Sequence, residues 1–78
     1  MDEYRLMRCF TAAFPAADPE DIRAAKTFSS IPGADSLRLV NLLAVIDEEY
    51  GVQIEPTESE LLVPFEGIKQ ILLQHGLN

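Results

Sequence analysis

The sequence is short of cysteine, histidine, tryptophan and positive charge. Its 78 residues include one cysteine, one histidine and no tryptophan. A single cysteine cannot form an internal disulfide, so the sequence excludes a small secreted scaffold held together by disulfides. One histidine and one cysteine also cannot supply the ligand cluster of a zinc or similar metal site, and we expect no metal.

Long hydrophobic runs are missing too. The longest uninterrupted apolar run covers residues 42–46, whereas a helix needs about 20 apolar residues to cross a bilayer. The first ten residues, MDEYRLMRCF, carry acids where a signal peptide carries positive charge. We therefore expect a cytoplasmic protein without membrane insertion, folded as one domain over residues 1–78. Because no extended apolar patch can be identified, we expect a monomer.

Positive charge is scarce and unevenly placed. Six Lys and Arg against 13 Asp and Glu give a formal net charge of -7. This charge disfavours binding to nucleic acids and anionic membranes, and it favours partners that present a basic face. Between Arg38 and Lys69 the chain has no basic residue but many acids: Asp47, Glu48, Glu49, Glu55, Glu58, Glu60 and Glu66. An acidic run is usually a solvated face, but the lack of internal counter-charge favours a docking surface.

Hydrophobic periodicity predicts helices in the first part of the chain. Apolar residues recur at three- and four-residue steps from Leu6 to Phe14, with Asp2 as N-cap and Pro15 as the end of the helix. A long loop follows over residues 15–34, in which the segment DPED predicts one brief turn. Two apolar residues are expected to anchor this loop to the core: Ile22 and Phe28.

The second main helix has the strongest pattern. It carries an inward apolar stripe from Leu39 to Tyr50, which Val40 is expected to widen, and it stops at Gly51. In the segment TESE, Thr57 and Glu60 predict a capping box that starts a short third helix through Leu61 and Leu62. A last amphipathic helix starts after Pro64 and ends at Gly76. The predicted fold is all-α, a small four-helix bundle of three main helices and one short helix with a long first loop.

Two explanations compete for the Asp35-Ser36 pair at the start of the second main helix. Either side chain could cap the helix by accepting a hydrogen bond from a backbone N–H. Alternatively, the Ser36 hydroxyl could be exposed there, where the positive end of the helix dipole would stabilise an esterified phosphate. A self-sufficient nucleophile is disfavoured, because no general base is near in sequence and His75 is the only histidine.

The segment GADSL, Gly33 to Leu37, followed by RLVNLLAVIDEEYGVQI, resembles an acyl carrier protein. In that family the serine of an Asp-Ser-Leu motif carries 4′-phosphopantetheine and begins the second helix, which ends in an acidic cluster and an aromatic residue. Ser36, the acids at 47–49 and Tyr50 match this order, and the similarity extends over essentially the whole chain. The Asp-Ser-Leu motif alone is weak, but together with this helix and architecture it is specific.

The resemblance implies a carrier and not an enzyme. A separate phosphopantetheinyl transferase would transfer the arm from coenzyme A to Ser36, and the arm's thiol would hold acyl groups as thioesters for partner enzymes. Asp35 would set the geometry of attachment and Leu37 would be an exposed apolar contact. Five residues would face the basic docking surfaces of partners: Arg38, Asn41, Asp47, Glu48 and Glu49. Six would line an acyl pocket, although core packing is their default role: Val40, Leu43, Ile46, Leu62, Phe65 and Ile68.

The chain departs from the pattern of many fatty-acid carriers at the front of the docking helix. Arg38 and Asn41 stand where those carriers have acids, and Leu39 stands where a small or polar residue is common. Directly before Ser36 this chain has SIPGAD, whereas those carriers more usually have an acidic residue followed by Leu and Gly. These differences favour a freestanding carrier in a dedicated pathway, such as one for a polyketide or a modified lipid. The alternatives are a peptidyl or aryl carrier loaded by an adenylating enzyme, and an unmodified acidic helical interaction module.

Overall fold

Helices account for the regular secondary structure of residues 1–77, the part of the chain that the computed structural model describes. The elements are α1 (Glu3–Ala13), α2 (Pro19–Ala24), a 3₁₀ turn (Phe28–Ser30), α3 (Ser36–Tyr50), α4 (Pro56–Ser59) and α5 (Pro64–Gln74). The predicted all-α class with three main helices is therefore confirmed. The predicted domain of 1–78 also includes Asn78, which lies outside the described residues.

Local capping signals place the ends of α1 and α3. The Asp2 carboxylate accepts a hydrogen bond from the Arg5 backbone N–H at 3.1 Å, as expected of an N-cap. At the C-terminal end of α3, Gly51 adopts the left-handed conformation, with a φ of 70°, and its N–H donates to the Asp47 carbonyl at 2.8 Å. Only a residue without a Cβ reaches this conformation at little cost, so Gly51 ends the helix as predicted.

The long first loop is more ordered than predicted. The brief turn expected at DPED is the six-residue helix α2, and a 3₁₀ turn follows it. A reciprocal cap starts α2: the Asp21 N–H donates to the Asp18 carboxylate at 3.0 Å, and the Asp18 N–H donates to the Asp21 carboxylate at 3.2 Å. The two predicted anchors, Ile22 and Phe28, are both buried, which confirms their role.

The predicted start and length of the short helix α4 were wrong. Thr57 does not cap it, because Pro56 already occupies the first helical position and Glu55 is the extended residue before it. Proline has its φ pre-set for a helix and needs no N–H there, so the helix starts one residue before Thr57. It ends at Ser59 and does not include Leu61, which is 89% exposed.

The hydrophobic core lies between α1, α3 and α5. Phe10 of α1 is fully buried and packs against the rings of Phe28 and Phe65, with ring centroids 6.4 and 5.5 Å away. From α3 the core receives Leu39, Leu42, Leu43 and Ile46. Val40 does not widen this stripe as predicted, since it is 50% exposed. Val40 directly follows the buried Leu39, and the rotation of the helix from one residue to the next turns the Val40 side chain toward solvent.

An ion cluster joins three helices on the outside of the core. The Glu3 carboxylate of α1 accepts from Lys69 of α5 at 2.8 Å and from Arg23 of α2 at 3.2 Å. The hydrogen bonds from Lys69 and then Arg23 hold the pKa of Glu3 below its ordinary value. The cluster thus ties the short helix α2 to both ends of the sequence.

The lone cysteine is part of the core. Cys9 of α1 is 3% exposed and is a free thiol. Burial is the main reason that its pKa is raised, because the thiolate loses hydration there.

Candidate functional site

Asp35, and not Ser36, is the N-cap of α3. Asp35 has an extended backbone, and its carboxylate accepts a hydrogen bond from the Arg38 backbone N–H at 2.7 Å. Ser36 is the first residue inside the helix and is exposed. Within residues 1–77 its hydroxyl takes part in no hydrogen bond. Asp35 therefore performs the capping, and the Ser36 hydroxyl stays available to an external group.

A buried anchor and a tight turn bring Ser36 to the surface. Ile31 is 2% exposed and fixes the chain to the core just before the turn. The Ala34 N–H then donates to the Ile31 carbonyl at 3.0 Å, and Gly33 takes a left-handed φ of 79° between them. A Cβ on Gly33 would also lie 3.1 Å from that of Ala16. The Pro-Gly sequence thus makes a turn after which α3 points its first residue outward.

The N-terminus of α3 fits a phosphodiester on Ser36. The Arg38 N–H is bound by the Asp35 side chain and the Leu39 N–H by the Asp35 carbonyl. The N–H groups of Ser36 and Leu37 precede the first intrahelical bond and remain available to an anion. They lie at the positive end of a 15-residue helix, which stabilises negative charge. Leu37 is 64% exposed next to this position, as predicted.

A cleft of about 410 Å³ opens beside Ser36. Its apolar lining comes from Phe14 after α1, Phe28 of the 3₁₀ turn, Ala34 before α3 and Leu39 of α3. Polar groups also line it: Thr27, Ser29, Asp35, Ser36 and Glu60. The cleft therefore runs from the exposed Ser36 to two phenylalanines, Phe14 and Phe28, that are otherwise buried.

None of the six residues predicted to line an acyl pocket lines this cleft. Leu43, Ile46, Phe65 and Ile68 are buried in the core, and Leu62 is half-buried. Val40 is half exposed on the solvent side of α3, so it is not an interior residue and that expectation was wrong. The sequence signal that could have found the lining of this cleft was the pair of phenylalanines, Phe14 just before the first loop and Phe28 within it.

The predicted docking residues lie along α3 but differ in what they can offer a partner. Asn41 and Glu48 are exposed, whereas Arg38 and Asp47 are half-buried. Glu49 is held by Arg5 of α1, whose Nε and Nη2 lie 3.1 and 3.0 Å from its carboxylate. The acidic run contains no basic residue of its own, but Arg5 from outside it supplies a counter-charge at Glu49.

Two further kinds of site were sought within residues 1–77. No helix in this part of the chain has the length and apolar character to cross a membrane. Across the same residues, no group of three or more His, Cys, Asp or Glu side chains is placed to hold a metal ion.

Comparison with known proteins places the candidate site in a family. Residues 5–60 match a family model described as a phosphopantetheine attachment site. The chain is also 30% identical over 59 residues to an acyl carrier protein of Bdellovibrio bacteriovorus, and this match covers 76% of each chain. No solved structure gives a significant match.

The family match includes Asp35, Ser36, the preceding turn and the whole of α3. Members of this family carry covalently attached 4′-phosphopantetheine and act as carriers and not as catalysts. The exposed hydroxyl at the positive end of α3 suits that attachment. Sequence, site geometry and both matches agree that the chain belongs to the acyl carrier protein family.

Proposed function

We propose that Ser36 carries the 4′-phosphopantetheine arm and that the chain delivers acyl intermediates, held as thioesters on that arm, to partner enzymes. The observation that carries this proposal is the division of labour between Asp35 and Ser36. Asp35 caps α3, while the Ser36 hydroxyl is exposed and unbonded at the positive end of the helix. A phosphopantetheinyl transferase can reach such a hydroxyl without first breaking the helix start.

We infer that partners approach the acidic side of α3. Asn41 and Glu48 are exposed there, and Glu48 has no cation within 4.0 Å in residues 1–77. With a net charge of -7, the protein would attract basic docking faces and speed the encounter more than it would tighten the complex. Leu37 and Val40, 64% and 50% exposed, add apolar contacts beside the arm.

The dedicated-pathway proposal rests on the front of α3. Arg38 and Asn41 make this end of the docking helix less negative than in many fatty-acid carriers. Leu39 is 6% exposed and forms part of the cleft beside Ser36, where a small or polar residue is common. A monomer acting in the cytoplasm, where thiols stay reduced, suits a chain with one buried free cysteine.

Intact-mass spectrometry tests the attachment. The wild-type protein is incubated with Mg²⁺, coenzyme A and a promiscuous transferase, and it should gain the mass of one phosphopantetheine. Ser36→Ala should gain nothing, whereas Ser30→Ala, which removes another exposed hydroxyl, should be modified like the wild type. No gain in the wild type would overturn the proposal and leave the unmodified interaction module, whereas a gain in Ser36→Ala would place the arm on another residue and overturn the assignment to Ser36.

Loading assays on the holo protein test the pathway. Malonyl transfer and elongation by general fatty-acid synthase enzymes should be slow, because their docking sites meet Arg38 and Asn41 instead of acids. Elongation at the rate of a fatty-acid carrier would contradict the dedicated pathway. Loading by an adenylating enzyme with ATP and an amino or aryl acid would instead identify the peptidyl or aryl type of carrier.

A further inference from the structure

The outer seam between α1 and α3 is formed by two antiparallel helices. Arg5 at the start of α1 binds Glu49 at the end of α3, with Nη2 of Arg5 3.0 Å from the carboxylate. At the other end of the seam, a Cβ on Gly33 would lie 3.1 Å from the Cβ of Ala16, so the chain just after α1 meets the chain just before α3. The two helices therefore run side by side in opposite directions.

Helix periodicity identifies the residues of α3 that face this seam. Arg38 precedes Glu49 by about three turns and Val45 precedes it by about one turn, so all three lie along one line of the helix. Arg38 and Val45 are both half-buried, as expected of side chains at the margin of a packed helix. Ser36 comes two residues before Arg38, which is more than half a turn, and it points to the other side of α3. A molecule on the seam would leave Ser36 uncovered.

The α1 side of the seam has cations and small residues but no acid. Residues 4–17 include two arginines and no Asp or Glu. Ala12 lies about two turns beyond Arg5 along α1 and is exposed, so another backbone can come close there. Arg8 is exposed beside this line, and its guanidinium lies 5.4 Å from the centre of the Tyr4 ring, which is 74% exposed. Arginine and tyrosine are the residue types that most often anchor an interface.

Two cations of the seam have no carboxylate partner within residues 1–77. Three of the six Lys and Arg form ion pairs in this part of the chain: Arg5, Arg23 and Lys69. Arg8 and Arg38 belong to none of these pairs. Asp2 and Asp35, the acids at the two ends of the seam, accept backbone N–H groups as helix caps. Both arginines are therefore available to carboxylates from another molecule.

The spacing of the two arginines indicates the kind of ligand. A helix rises about 1.5 Å per residue, so Arg38 lies about 12 Å beyond Arg8 along the seam, measured from the level of the Arg5–Glu49 pair. Two turns of a helix cover about 11 Å. The net charge of -7 repels an acidic partner at long range, but at physiological salt this repulsion is screened beyond about 8 Å. The local charge of the seam therefore decides which helix can bind.

We propose that the seam between α1 and α3 binds an acidic helix of a partner protein, in which two carboxylates about two turns apart meet Arg8 and Arg38. An apolar side chain between those carboxylates lies over Ala12 and Val45, and Tyr4 covers one end of the helix. Such a partner holds the protein by the side away from Ser36, so enzymes that act on the arm can bind at the same time. The inference goes beyond the proposed function, because it does not require modification of the serine.

Two helical peptides of equal composition and charge test the pattern. Both are alanine-rich and contain two glutamates and one leucine. In the first peptide the glutamates lie about two turns apart on one face with the leucine between them, and in the second they lie on opposite faces. Each is titrated into the ¹⁵N-labelled full chain. The first peptide should shift the backbone amides of Arg8, Ala12 and Val45 and should bind about two- to fivefold more tightly than the second, which is the size expected for an exposed charge pair.

Three neutral variants separate the seam from general charge. Arg8→Gln and Arg38→Gln should each weaken binding of the first peptide about two- to fivefold and leave the second unchanged. The matched control Lys26→Gln removes an exposed cation before the 3₁₀ turn, which also belongs to no ion pair within residues 1–77, and it should bind like the wild type. Phosphopantetheine transfer to Arg8→Gln should proceed at the wild-type rate, because the seam lies away from Ser36.

The outcomes distinguish this inference from the proposed function. Equal affinity for the two peptides, or the absence of shifts at Arg8, Ala12 and Val45, would overturn the acidic helix as occupant. Shifts of the same amides when the protein alone is concentrated would identify a second copy as the occupant and would overturn it as well. The proposed function would survive either result, since it fails only if Ser36 does not receive the arm.

Discussion

The side chain of Arg5 in α1 binds both the carboxylate and the backbone carbonyl of Glu49, near the end of α3. Nη2 of Arg5 donates to the Glu49 carboxylate at 3.0 Å and to the Glu49 carbonyl at 2.8 Å. The guanidinium also lies 4.6 Å from the centre of the Tyr50 ring. One arginine therefore fixes the end of α3 to α1 and neutralises one of the acids that the sequence assigns to docking.

This pairing predicts that neighbouring acids contribute unequally to partner binding. Glu48→Gln should lower kcat/KM of the phosphopantetheinyl transferase about two- to fivefold at low salt, because it removes an exposed charge that a basic face can reach. Glu49→Gln should have a smaller effect, since Arg5 already occupies that carboxylate. Transferase kinetics over a range of salt concentrations measure this difference. An equal or larger loss with Glu49→Gln, in a protein of unchanged melting temperature, would contradict it.

Asp35 is predicted to act through the helix cap. Asp35→Ala should lower the free energy of unfolding by about 1 kcal/mol, because it leaves the Arg38 N–H without its partner. Asp35→Asn should retain most of the stability, since an asparagine oxygen caps equally well. Denaturant titration measures both. If Asp35→Asn is as unstable as Asp35→Ala, the carboxylate charge and not the cap is what matters.

Stability should fall in acid because of the cluster around Glu3. The pKa of Glu3 is lowered from its ordinary 4.5 by hydrogen bonds from Lys69 and Arg23. A carboxyl group whose pKa is lower in the folded than in the unfolded state stabilises the protein at pH values above its unfolded pKa. This stabilisation is lost as the pH falls through the folded pKa. The melting temperature should therefore decrease as the pH is lowered below about 4.5.

Glu3→Gln is the variant that isolates this effect. It should melt at a lower temperature than the wild type at pH 7, and this difference should shrink as the pH falls below 4.5. Glu20→Gln, which removes an exposed acid of α2, serves as the control and should keep the acid sensitivity of the wild type. A difference between Glu3→Gln and the wild type that stays constant from pH 7 to pH 3 would rule out Glu3 as the group responsible.

Gly51 is predicted to be needed for its backbone alone. Gly51→Ala should destabilise the protein by about 1 kcal/mol, because an L-residue is strained at a φ of 70°. A Cβ there would have nothing within 4 Å, so no clash adds to this cost. Gly51→Asn should lose less, since asparagine tolerates the left-handed region better. Thermal melts of both variants provide the comparison, and a larger loss for Gly51→Asn than for Gly51→Ala would indicate that side-chain volume matters instead.

The sequence predicts those parts of the fold that depend on neighbouring residues. Asp2 and Gly51 act within one helical turn of the groups they serve, so their roles at the helix ends were predicted correctly. The error at α4 is also local: Thr57 suits a cap, but Pro56 begins the helix before it. Val40 shows the limit of periodicity, because a residue one step from an inward position can face either way.

Contacts between distant segments could not be predicted in this way. Arg5 and Glu49 are 44 residues apart, and nothing in the spacing of charges pairs them. The cleft joins residues as far apart as Phe14 and Glu60, whose meeting depends on the packing of α1, the first loop and α3. The position of Ser36 was predicted because motif, turn and helix start are contiguous, whereas the surface around it is assembled by the tertiary fold.

The burial of Cys9 has a consequence for the chemistry of the modified protein. Its sulfur is covered by the core, so oxidants and alkylating reagents in solution have little access to it. With phosphopantetheine on Ser36, the sulfhydryl at the tip of the tether would be the one that reagents meet. Maleimide uptake by the folded protein would then count loaded and unloaded arms directly, with no need to replace the native cysteine.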